Sequence, residues 1–143
     1  MFDEVTTGVL TRAGWFPGRS LDIDDWVEVL RGEGIGVHAA ADAFLREFGG
    51  LAVEAAGPGI TRARESYRLD PTDCVGEGER FLGWSEEIGR QIVPVGQLAG
   101  GRFFLGIDET SEIYAVELNV LTFGQMPVAM ERLTLGVMPE YVA

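Results

Sequence analysis

Few side chains in this sequence are equipped for covalent or acid–base chemistry. His38 is the only histidine and Cys74 the only cysteine. A nucleophile needs a base within hydrogen-bond reach, and zinc needs three or four ligands drawn together. One histidine and one cysteine do not supply the usual zinc sets. Cys74 lies among Asp70, Asp73, Glu77 and Glu79. A negative field raises a thiol pKa and suppresses the reactive thiolate, so an inert or half-buried cysteine is expected. His38 follows Val37 at the start of a helical pattern and reads as an N-terminal helix residue rather than a catalyst. No lysine is present, so no phosphate-cradling G-x-x-x-x-G-K-[ST] loop exists. Acids are abundant, and abundance is the difficulty. With 23 of them, pairs such as Asp24 with Asp25 or Glu86 with Glu87 carry no specificity for proton transfer. The Asp70–Glu79 group lacks the ligand spacing of an EF-hand. No catalytic, cofactor-binding or metal-ligating residue is expected.

What remains is charge patterning. Three segments hold carboxylates with no base between them: Asp22, Asp24, Asp25 and Glu28; Asp70, Asp73, Glu77 and Glu79; Asp108, Glu109, Glu112 and Glu117. One reading is helix-dipole compensation and solvated surface. The other is an acidic face for a basic protein. Eleven basic residues, all arginine, against 23 acidic ones give a net charge of −12. That balance argues against a nucleic-acid backbone as ligand, which requires basic patches. It fits plain solubility, or a basic partner steered in by the field.

The chain that must position these groups has 143 residues, enough for one domain with a sizeable core. No apolar run approaches the roughly 20 residues needed to span a bilayer. Asp3 and Glu4 stand where a signal peptide needs basic residues, so the cytoplasm is the expected location. Phe2, Val5, Val9 and Ala13 predict a helix over about 3–13. Ile23, Trp26, Val27 and Leu30 predict a second over about 23–32, capped by Asp22 and turning Asp24, Asp25 and Glu28 outward. Val37, Ala41, Phe44 and Phe48 mark a third, stopped by Gly49-Gly50. Short strands at 51–53 and 64–69 flank a loop at 55–61, and a fourth helix spans about 77–89 with Phe81, Trp84 and Ile88 inward. Then the period changes. Ile92–Val95 is extended, with Pro94 at an edge or a bulge. Residues 102–107 and 113–118 form a hairpin whose turn projects Asp108, Glu109 and Glu112 into solvent. Residues 120–123 continue the sheet, and Met126, Ala129, Met130 and Leu133 mark a last helix. Helices first and an antiparallel meander after them predict an α+β domain over 1–143.

Ala13-Gly14-Trp15-Phe16-Pro17-Gly18-Arg19 joins the first two helices without a polar linker. Gly14 and Gly18 admit backbone angles closed to other residues, and Pro17 fixes one φ. Trp15 and Phe16 are expected to fold back onto a core shared with Trp26, Phe44 and Phe48. The competing reading is an exposed aromatic binding patch.

These residues also carry a resemblance. Ala-Gly-Trp-Phe-Pro-Gly-Arg at 13–19 is followed by an acidic helix with Trp26. Val37-His38-Ala39-Ala40, Phe44 through Leu51, Asp70-Pro71, Ile88-Gly89, Pro94-Val95-Gly96 and Ile113-Tyr114 follow in order. Over about 8–136 the chain resembles the third subfamily of the SUKH superfamily of bacterial immunity proteins. Trp15, Phe16, Pro17, Gly18, Trp26, Phe44, Phe48, Gly49 and Gly50 carry it as structural motif residues. The family hairpin often has a glycine just before the strand matching Ile113-Tyr114, where this chain has Ser111 and Glu112. The resemblance implies N-terminal helices packed on a mainly antiparallel sheet, a C-terminal helix and a non-enzymatic role without cofactor. Such proteins are typically encoded beside polymorphic toxins. They bind and block the cognate toxin domain, often a nuclease or nucleic-acid deaminase. Asp24, Asp25, Glu28, Asp108, Glu109 and Glu112 are the candidate residues for a basic protein partner; neither nucleic acid nor a membrane is expected as one. The alternative is a regulatory interaction module of the same fold with an endogenous partner. An enzyme would need a polar pocket that this sequence does not suggest.

Overall fold

Asp3 starts the first helix. Its carboxylate accepts the Thr6 N–H and the Thr6 hydroxyl, each at 2.8 Å, and so caps α1 (Glu4–Arg12). Burial pushes the Asp3 carboxyl up, but its hydrogen bonds, those from Thr6 foremost, together outweigh it and hold the group below its ordinary value. In the computed structural model, which describes residues 1–143, α1 turns Thr6 and Leu10 inward and leaves Val5 49% exposed. The expected stripe is therefore out of phase at Val5. Thr6 can take the buried position because Asp3 satisfies its hydroxyl.

Asp22 accepts the Asp24 N–H at 2.9 Å at the entry to α2 (Asp24–Gly32), which buries Ile23 and Leu30 and leaves Trp26 half-buried. α3 (Ala39–Phe48) is capped by His38 and buries Ala41, Phe44, Leu45 and Phe48. Seven strands then form one antiparallel sheet in sequence order: β1 (Ala52–Val53), β2 (Tyr67–Arg68), β3 (Val93–Leu98), β4 (Phe103–Ile107), β5 (Glu112–Val116), β6 (Val120–Gln125) and β7 (Glu140–Tyr141). β3 is an interior strand, and Pro94 sits there at a register shift opposite β4. Of the two places open to this proline, it takes the one beside a bulge, next to the unpaired Val95.

Helices cover both faces. α4 (Gly78–Ile88) lies on the face of Phe104 and Gly106, with the Phe81 ring 6.2 Å from that of Phe104. A Cβ at Gly106 would run into Ile92 and Phe81. On the other face, α5 (Val128–Leu135) brings Thr134 Oγ1 within 2.7 Å of the Tyr67 hydroxyl. α1 packs on α5, and the Asp3 N–H donates to Glu131 at 2.7 Å. No helix is long and apolar enough to cross a membrane.

The corner at 13–19 draws distant segments together. The Trp15 ring stacks on Phe48 at 6.4 Å and meets Phe2 edge-on at 5.8 Å. Its indole N–H donates to Glu47 Oε2 at 3.0 Å. Arg19 donates to the carbonyls of Glu47 and Gly49 at 2.6 and 2.8 Å. A Cβ at Gly49 would strike the Trp26 ring, so this glycine lets α2 close onto the end of α3. Phe16 departs from expectation, being 57% exposed. Trp15 and Phe16 lie outside any helix or strand, before a turn closed by Arg19 N–H to Phe16 O. Phe2, Phe48 and Glu47 take up the Trp15 side chain, and Phe16 is left on the solvent side of the corner.

Candidate partner-binding face

The six expected carboxylates divide into three kinds. Asp24 and Asp25 are exposed in the first turn of α2 and make no ion pair, and Asp22 stands beside them. Their field reaches α3: Arg46 is held in its charged form first by its 2.7 Å bond to Asp42, and at longer range by Asp24 and Asp22. Glu28 and Glu109 are exposed but not free of cations. Glu28 pairs with Arg31 one turn on, and Glu109 lies 3.9 Å from Arg90 while accepting the Gln91 N–H at 2.9 Å.

Asp108 corrects the expected outward turn, since it is fully buried at 0% exposure. One carboxylate oxygen accepts the Thr110 N–H at 2.8 Å, the Thr110 hydroxyl at 2.7 Å and the Glu112 N–H at 3.1 Å. The other accepts the Tyr114 hydroxyl at 2.8 Å. An aspartate that bonds the backbone two residues on folds its own turn inward. Burial and then the Asp108 bond push the Tyr114 hydroxyl well above its ordinary pKa. Glu112 is half-buried and accepts the Thr122 hydroxyl at 2.6 Å. Both residues therefore build the hairpin.

His38 and Cys74 are likewise committed to structure. His38 Nδ1 accepts the Ala41 N–H at 3.1 Å. The ring must then be protonated on Nε2, which donates to Gln91 O at 2.9 Å. Cys74 is 2% exposed, and its thiol donates to Gly96 O at 3.3 Å. Burial, and next Asp73, push the thiol up to about 12, which leaves no thiolate at neutral pH.

One feature of the surface escapes sequence reading. A groove of about 270 Å³ runs between α3 and the β4–β5 and β6–α5 connections. Ala40, Ala43 and Glu47 share one face of α3 and form one wall; Ser111 and Met126 stand on the other. Glu47 is its only charged side chain, and Met1, 73% exposed, lies at its mouth. Small residues at three-residue spacing, beside the buried Phe44 and Phe48, were the one local signal. The facing wall comes from residues more than sixty positions later. A second groove, of about 360 Å³, passes His38, Leu82 and Ser85, and no carboxylate lines it.

A family model described as SUKH-3 immunity protein matches residues 2–136 of this chain. No curated protein and no solved structure matches it.

Proposed function

The chain belongs to the SUKH-3 immunity protein family, and on that premise we propose that it neutralises a cognate toxin by binding it. The toxin is a basic domain, a nuclease or a nucleic-acid deaminase of a bacterial competition system, met in the cytoplasm. The observation that carries the basic partner is the cluster of unpaired, exposed carboxylates Asp22, Asp24 and Asp25 on a chain of net charge −12. Opposite charge raises the rate of encounter and narrows the choice of partner. The non-enzymatic reading is supported by His38 and Cys74, whose polar atoms are spent on backbone partners.

The test is a triple variant, Asp22→Asn, Asp24→Asn and Asp25→Asn, which keeps shape and removes field. Its association rate with the toxin domain encoded beside this chain should fall about tenfold at low salt. The difference should shrink near 0.3 M salt, where screening is shorter than about 8 Å. Equal rates at both salts would assign the acidity to solubility alone. Failure of the wild-type chain to protect cells expressing that toxin would remove the immunity reading itself.

A further inference from the structure

The groove beside α3 is placed and lined as the centre of an interface should be. Its walls are apolar apart from Glu47 and Ser111, and methionines at its mouth and far wall can adapt to a guest. An apolar cavity of about 150 Å³ already holds a benzene ring, so about 270 Å³ accepts a leucine or phenylalanine side chain.

Glu47 is the one charged side chain of the groove's lining. It follows Arg46, on which the unpaired Asp24 and Asp22 of α2 also act. An apolar centre within a polar rim is the usual anatomy of a protein interface, and desolvated central pockets carry most of the affinity. A second copy of this chain is a poor occupant, because each copy carries −12.

Building on the immunity reading, we propose that this groove is the anchor pocket of the toxin interface. It receives one large apolar side chain from a basic segment of the toxin. An arginine or lysine flanking that side chain meets Glu47, and the α2 carboxylates attract the rest of the segment.

Ala43→Trp fills the groove without changing charge, and Ala43 is exposed, so the fold should survive. Binding is measured against the purified toxin domain encoded beside this chain. Ala43→Trp should weaken it at least tenfold, mainly through faster dissociation. Ala43→Arg should weaken it further by repelling a basic segment. Ala56→Trp, on an exposed loop outside the groove, should bind as wild type does. Wild-type binding with Ala43→Trp within about twofold of it would overturn the anchor and leave the immunity reading standing. A wild-type dimer that Ala43→Trp converts to monomer would also overturn it, by seating a second copy in the groove. Absence of any wild-type binding would sink both readings together.

Discussion

Trp15 is enclosed by Phe2 and Phe48 and hydrogen-bonded to Glu47, whereas Phe16 beside it lies 57% in solvent. Truncating the first opens a cavity and strands a carboxylate; truncating the second exposes almost nothing new. Trp15→Ala should therefore cost about 3–5 kcal/mol, and Phe16→Ala no more than about 0.5 kcal/mol. Urea midpoints separate the two, and equal losses would place Phe16 in the core. Asp108 supports a comparable prediction. Its removal leaves the Thr110 and Glu112 N–H groups and the Tyr114 hydroxyl without their acceptor. Asp108→Ala should cost about 3 kcal/mol or more, and Tyr114→Phe, which loses one bond to a charged group, about 1.5–3 kcal/mol. If Asp108→Ala unfolds at the wild-type denaturant concentration, the carboxylate is not the hub of this turn.

The β4–β5 hairpin shows how an element keeps its geometry with an unfavourable residue. Ser111 has φ +67°, a left-handed conformation in which a Cβ costs roughly 1–2 kcal/mol. The turn therefore holds its serine at an energetic cost. The backbone supplies the compensation: Ser111 N–H donates to Asp108 O, and Ser111 O accepts the Met126 N–H. Ser111→Gly should relieve the strain and give back about 0.5–1 kcal/mol to the greater freedom of glycine in the unfolded chain. The net gain is up to about 1 kcal/mol, or about 2–4 °C in melting temperature. A lower melting temperature would mean that the serine side chain contributes something the turn needs.

At the scale of the molecule, charge is the dominant asymmetry. Seven of the arginines are drawn into ion pairs, among them Arg80 to Glu77 and Glu117, Arg68 to Asp73 and Arg102 to Glu65. Most of the 23 acids therefore have no cation, and their mutual repulsion opposes the compact state. Raising sodium chloride from about 0.01 M to 1 M shortens the screening length from about 30 Å to 3 Å. The melting temperature should rise over that range. A fall would mean that the ion pairs, rather than the unpaired acids, dominate the electrostatics of folding.

Helices α2 and α3 were legible from spacing alone, because the apolar period of each lies within a dozen residues and Gly49-Gly50 closes α3. The meander was legible for the same reason, each hairpin having its own turn. β7, two residues long, is shorter than any period that could announce it. The acidic surface was legible as composition but not as pairing. Arg90 reaches Glu109 across nineteen positions and Arg80 reaches Glu117 across thirty-seven; no local pattern links either pair. Asp108, expected in solvent with its turn, is buried because Thr110, Glu112 and Tyr114 all donate to its carboxylate. The groove was beyond reach, since α3 provides one wall and residues 111 and 126 the other. Local chemistry writes the elements into a short window of chain, whereas a binding face is made of surfaces that become neighbours only after packing.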